Sequence, residues 1–294
     1  MADQLTRRDL LKHSAFAAAA AAVLGQGGPS AFAADAATKM PSIRLGSLEV
    51  SRLILGSNPF WGYAHKPGDL GKQMTQYYTD ERIMAVMDEA AACGVTTVAC
   101  PPDERWRNIW EKYRSNGGKL KVWIAQCHGD PKQMKEEISV AVKAGCHGVF
   151  IQGHRTEDAF LRRQYDMVRS WVDHSKSLNM PTGLAAHRQN VHPKAEELGF
   201  ATDFYFQCFY IPETYKEEDR EKAIATISQM KKPVVAYKIL AAGRLGAREA
   251  FQCALGRIAA KDGICVGVFP KDQPNQVRED AQLAMEFSKK RQVG

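Results

Sequence analysis

From Arg52 onward the chain alternates short apolar runs with longer stretches of helical period, and it does so eight times. The runs Arg52–Gly56, Val95–Cys100, Lys121–Ala125, Gly148–Gln152, Thr182–Ala186, Phe204–Cys208, Pro233–Ile239 and Ile264–Val268 read as strands, apolar on both faces as strands buried under helices must be. Between them the spacing predicts helices over about Asp80–Ala92, Asp103–Arg114, Glu157–Leu178, Glu217–Met230, Arg248–Ala260 and Pro274–Lys289, with a short helix after His192-Pro193. Asp130-Pro131 places a capping side chain before a first-turn proline, so a helix starts there, and Gly145 ends it. A long loop follows the first strand. Eight strand-then-helix units predict an α/β fold, a (β/α)8 TIM barrel in a single domain over residues 43–294. An open doubly wound sheet would share the alternation, but no G-x-G-x-x-G follows the first strand.

In a barrel, the residues just after each strand's C-terminal end form the site. Here they are polar and basic: Asn58 and Trp61, Asp103, Gln126 and His128, Gln152 and His154, His187 and Asn190, Gln207 and Tyr210, Tyr237 and Lys238, then Lys271. No tight pair of carboxylates stands among them, which leaves a two-carboxylate glycosidase little support. His128, His154 and His187 on adjacent strand ends are candidate ligands of a divalent metal with an open position, and Asp103 would complete or orient that shell. Lys238 in a desolvated mouth is a candidate base or Schiff-base former, or a cation for an anion or enolate oxygen. Trp61, Tyr63, Trp106 and Tyr210 are candidates for an aromatic platform under a carbohydrate.

Forty Lys and Arg against 33 Asp and Glu give a formal charge of +7, scattered without a dominant block. That pattern argues against nucleic acid as a partner. Seven cysteines without a C-x-x-C pair, mostly inside apolar runs, look like buried free thiols. The first 33 residues differ from the rest. Arg7-Arg8, an apolar segment from Ala15 to Leu24 and Ala31-Phe32-Ala33 follow one another as charged region, apolar region and small-x-small cleavage site. This segment resembles a twin-arginine export signal, which implies a protein that folds in the cytoplasm, engages the twin-arginine export machinery and works in the periplasm or beyond. It is too short and alanine-rich for stable membrane insertion. Residues 34–42 would be a linker.

Five segments, in order, resemble the aldo/keto reductases. They are Ile43-Arg44-Leu45-Gly46-Ser47-Leu48-Glu49-Val50-Ser51-Arg52-Leu53 with Leu55-Gly56, Gln152-Gly153-His154-Arg155-Thr156-Glu157-Asp158, Gln207, Ala236-Tyr237-Lys238-Ile239-Leu240, and Pro270-Lys271-Asp272-Gln273-Pro274 with Glu279-Asp280. The resemblance implies an NADP-dependent barrel in which Gln207 and Tyr237 hold the nicotinamide and Lys271, Arg278 and Glu279 lie at the phosphate and adenine end. It also implies a catalytic Tyr, Lys, Asp and His, of which only the His is matched, at His154. Ala99 stands at the Asp position, Gln126 or Cys127 at the Lys position, and Ala186-His187 replaces a Ser-Asn pair. Without an acidified phenol, protonating a nascent alkoxide needs another donor.

The expectation is therefore an exported, reductase-like barrel enzyme acting on a small polar carbonyl or keto-sugar by non-redox acid/base or metal-assisted chemistry, such as epimerisation or elimination. His154 would polarise the carbonyl, Lys238 or His187 would take the α-proton, and Asp103 with His128 would orient substrate or metal. The alternatives are an NADP-dependent oxidoreductase exported with its cofactor bound, and a non-catalytic ligand-binding barrel.

Overall fold

Residues 39–289 are described in the computed structural model; the expected export signal lies outside them. Strands β3 (Leu53–Gly56), β4 (Thr97–Cys100), β5 (Val122–Cys127), β6 (Gly148–Ile151), β7 (Thr182–Ala186), β8 (Phe204–Cys208), β9 (Val234–Tyr237) and β10 (Gly263–Gly267) pair in parallel in that order. The ring closes where β10 pairs with β3, with Ile264 opposite Leu53 and Gly267 opposite Gly56. The fold is a TIM barrel, and no open sheet edge remains in it.

Alternation along each strand sorts the core in two. Ile54, Ala99, Ile124, Phe150, Ala185, Phe206 and Val235 point inward and form one cluster. Their neighbours Leu55, Val98, Trp123, Val149, Leu184, Tyr205 and Val234 point outward into the layer under the helices. A hairpin of β1 (Ser42–Leu45) and β2 (Leu48–Ser51) plugs the N-terminal end, where Ile43, Leu45 and Val50 join the inner cluster. Each such buried aliphatic side chain contributes about 1.5–3 kcal/mol, so the plug is a substantial part of the core.

Helices α1 (Leu70–Tyr77), α2 (Asp80–Ala92), α3 (Glu104–Ser115), α4 (Met134–Lys143), α5 (Gly153–Leu161), α6 (Tyr165–Ser177), α7 (Val191–Glu197), α8 (Glu217–Gln229), α9 (Ala247–Arg257) and α10 (Gln276–Lys289) cover the ring. None of them is long and apolar enough to cross a membrane. All seven cysteines are free thiols, four of them buried.

Three expectations are corrected. The long loop after β3 carries a 3₁₀ turn over Asn58–Trp61 and the helix α1. The helix expected at Asp130 begins only at Met134, because the Asp130 carboxylate accepts the Lys132 amide at 2.9 Å in a local turn instead. The single helix expected over Glu157–Leu178 is two, broken at Arg163, whose φ of 57° cannot continue a right-handed helix. The first of the two starts early, so His154 lies in the first turn of α5 rather than on a strand end.

A buried carboxylate locks the closure. Asp262, fully buried, accepts the Val234 amide at 2.9 Å through Oδ1 and the Ala259 amide at 2.9 Å through Oδ2. Its backbone carbonyl accepts Arg52 Nε at 3.0 Å, and Arg52 Nη2 donates to Ala259 O at 3.0 Å. Gly263 is required beside them, since a Cβ there would stand 2.8 Å from the Arg52 carbonyl oxygen. Asp262→Ala strands two donors at the seam and is expected to lower unfolding free energy by about 3 kcal/mol in urea denaturation.

A second buried carboxylate has the opposite effect. Asp280 on α10 is 2% exposed, Oδ2 has no partner, and burial, with Glu279 adding repulsion, pushes its pKa up to about 7. The native state binds this proton more tightly than the unfolded chain, so the contribution is present below the unfolded value of about 3.9 and lost as pH rises through 7. Asp280→Asn should match wild type near pH 4 and exceed it at pH 8 by on the order of a few kcal/mol, which denaturation at the two pH values measures.

Candidate functional site

The C-terminal ends of the strands open into a cavity of about 560 Å³. Its floor includes Phe150 and Phe206, stacked with centroids 4.2 Å apart and planes at 6°. Its walls carry six basic side chains, His65, Lys66, His128, His154, His187 and Lys238. Among the described lining residues there is no Asp or Glu.

Strand parity explains who enters. Gln126, His128, Gln152 and His187 lie two or four residues beyond inward-facing Ile124, Phe150 and Ala185, and all four line the cavity. Gln207 follows inward-facing Phe206 and therefore turns outward. It is buried off the cavity, its Nε2 donating to Cys208 O at 3.1 Å and His187 O at 3.3 Å, while Oε1 has no partner. Lys238 should also turn outward, following inward-facing Tyr237. Its φ of 56° redirects it into the cavity instead, in a loop that holds Ala241, Ala242 and Gly243 in the same left-handed region.

His187 is fixed by Glu157. Glu157 Oε1 accepts the amides of His187 at 2.6 Å and Arg188 at 2.5 Å, and Oε2 lies 3.1 Å from His187 Nδ1. Burial acts to raise the Glu157 pKa, but the hydrogen bonds from the His187 ring and the two amides outweigh it, so the net shift is downward. An ionised carboxylate only accepts, which makes Nδ1 the protonated ring nitrogen and leaves Nε2 as the basic one. The ring packs on the bare Gly153 Cα, where a Cβ would come within 3.0 Å of His187 Cε1.

The His154 ring stands 4.6 Å from that of His187, and its pKa is lowered by burial and then by the neighbouring His187. Tyr237 meets His187 edge-on at 5.8 Å and donates its hydroxyl to Ala186 O at 3.2 Å. The Lys238 ammonium makes no hydrogen bond or ion pair among the described residues, and burial lowers its pKa to about 8 although Cys208 and Glu213 pull the other way.

His65 joins the site unforeseen. Its Nε2 lies 3.3 Å from Asn58 Nδ2, and its pKa is lowered to about 4 by burial, then by Lys238, His187 and His154. The residue is open to solvent, which screens part of that shift. The sequence signal for it was positional only: the loop after the first strand also supplies Asn58, and barrel sites are built from such loops.

Other expected residues are placed elsewhere. Asp103 does not line the cavity; it holds His128 Nε2 at 3.3 Å, a hydrogen bond that raises the histidine's pKa. One ligating atom each of His154, Glu157 and His187 lie within 4.8 Å of one another, a grouping in which Glu157 takes the place expected for His128. Trp106 and Tyr210 are buried in the outer core, and Tyr63 alone of the four candidate platform aromatics lines the cavity. Lys271 donates to Gln73 at 3.0 Å, Arg278 pairs with Glu89 on α2 at 3.0 Å, and Glu279 is exposed on α10.

No family model and no curated protein matches the sequence. Solved structures do match the fold. Two proteins from Pseudomonas aeruginosa described as aldo-keto reductases align with TM-scores of 0.62 and 0.57 at 14% and 15% identity, covering 88% and 83% of this chain and 99% and 94% of theirs. A holo-form aldo-keto reductase from Bacillus halodurans aligns with a TM-score of 0.53 at 12% identity over 85% of this chain and 96% of its own. The fold is that of aldo-keto reductases. At these identities the likeness speaks for the fold alone.

Of the residues that the resemblance assigns to a nicotinamide nucleotide, Tyr237 lines the cavity and the others do not. Gln207 faces away from the cavity, Lys271 and Arg278 are engaged by Gln73 and Glu89, and Ala99 and Gln126 line the cavity where the reductase Asp and Lys belong.

The left-handed backbone at Lys238 costs about 1 kcal/mol that glycine would not incur. Lys238→Gly is expected to raise unfolding free energy by about that amount while removing one of the cavity's two ammonium groups. A denaturation midpoint at or below wild type would count against strain at this position.

Proposed function

We propose that the barrel mouth is the active site of an enzyme that shifts a proton on the carbon next to a carbonyl, in a small polar carbonyl compound or keto-sugar, without hydride transfer. His187 Nε2 takes the α-proton while Glu157 holds the Nδ1 proton and steadies the imidazolium that forms. His154 donates a hydrogen bond to the carbonyl oxygen, and Lys238 balances the negative charge that develops there. Protonation of the opposite face by water, with His187 releasing its proton to solvent, gives epimerisation; departure of a β-oxygen group that takes the proton from the His187 imidazolium gives elimination. The observation that carries this reading is the Glu157–His187 pair beside His154 and Lys238 in a cavity whose described lining holds no carboxylate. The Arg7-Arg8 segment supports placing this activity outside the cytoplasm, where a diffusing reductant is not regenerated.

A divalent cation on His154, Glu157 and His187 is the second reading, favoured by their 4.8 Å spacing. Against it, Glu157 Oε1 already accepts two amides.

The test is deuterium wash-in. Incubated in D₂O with a panel of keto-sugars and oxo acids, wild type should exchange an α-proton, and His187→Gln should slow exchange by about 10²–10⁴-fold. Exchange that survives prolonged chelation supports the acid/base reading, and exchange that chelation abolishes and zinc restores supports the cation. Ligand binding with no exchange by wild type would leave a binding barrel and sink both.

A further inference from the structure

Three features of the cavity bear on the charge of what it holds. The charged and imidazole side chains of its described lining are all basic, four histidines and two lysines with no Asp or Glu. Of the lysines, Lys66 is anchored to Gly243 O at 2.7 Å, whereas the Lys238 ammonium has no hydrogen bond or ion pair among the described residues. The N-terminus of α5 opens into the same space, since Gln152, Gly153 and His154 line it, and its dipole favours negative charge there. A cation held half-buried without a counter-ion is destabilised unless an anion arrives.

From this lining we infer that the substrate of the proposed reaction carries a carboxylate beside its carbonyl, so that the site takes 2-oxo acids. The inference rests on the acid/base reading and narrows its substrate class. One carboxylate oxygen and the carbonyl oxygen of such an acid lie on the same side of a planar unit and can share the Lys238 ammonium. That places the ammonium where the enolate charge develops when His187 Nε2 removes the proton from the far side of the carbonyl carbon. Gln126 and Gln152, both in the lining, offer neutral amide donors to the second carboxylate oxygen. A monoanion fits better than a phosphate dianion: among the described lining residues there is one uncommitted ammonium and no arginine.

Oxalate reproduces the planar dioxygen face of such an enolate, and oxamide is its neutral isostere. Titration calorimetry on the purified protein should find oxalate bound more tightly than oxamide by about tenfold or more. Lys238→Met should remove that preference and Lys238→Arg should restore part of it; if either variant fails to fold, oxalate against oxamide on wild type still decides. Equal binding of the two, or no binding of oxalate, would overturn the inference, and tighter binding of inorganic phosphate would overturn the carboxylate assignment. Its fate separates from that of the proposed reaction. Oxalate preference without deuterium exchange leaves the anion site and removes the chemistry, while exchange on neutral keto-sugars with no oxalate preference does the reverse.

Discussion

Everything at the mouth of this barrel depends on the pairing of β10 with β3. That pairing joins strands more than two hundred residues apart and turns an alternating sheet into a ring. It brings the loop after β3, which carries Asn58, His65 and Lys66, against the loop after β9, which carries Lys238 and Gly243. Lys66 donates to Gly243 O across this junction and Arg244 to the His65 carbonyl at 3.4 Å. The seam is secured at the opposite end of the barrel, where Asp262, Arg52 and the bare Gly263 allow the backbones to approach. The buried seam contacts therefore lie at one end and the cavity with its basic groups at the other, the usual division in this architecture.

Electrostatics at the mouth follow from where the carboxylates are not. Two acids outside the lining hold its histidines, Asp103 on His128 and Glu157 on His187, and Glu157 stands behind its imidazole, saturated by two amides and a ring N–H. It can orient that imidazole and stabilise its charged form. With Glu157 held outside the lining, basic groups face one another across the cavity, and the pKa values of His65 and His154 fall through burial first and repulsion from neighbouring bases second. The left-handed backbone at Lys238 belongs to the same pattern, a local strain kept where it aims a charged side chain at the site.

The sequence read alone determined the ring and its inventory. Apolar runs separated by helical stretches leave a parallel, doubly covered sheet as the consistent packing, and the residues after each run had to include the site because barrel strands share one direction. His154, His187, Lys238 and Tyr237 were named on that ground, and all four line the cavity. Gln207 could have been refused from the sequence too, since its parity relative to Phe206 turns it outward. Tertiary structure decided the rest. Lys238 enters against its parity because of one left-handed φ, Glu157 becomes a partner of His187 because α5 begins at Gly153, and His65 arrives from a loop with no periodicity to read. The physical reason is range: within a strand or helix, side-chain direction follows from the local repeat, whereas past its end direction is set by single dihedral angles and by contacts with elements brought close only when the barrel closes.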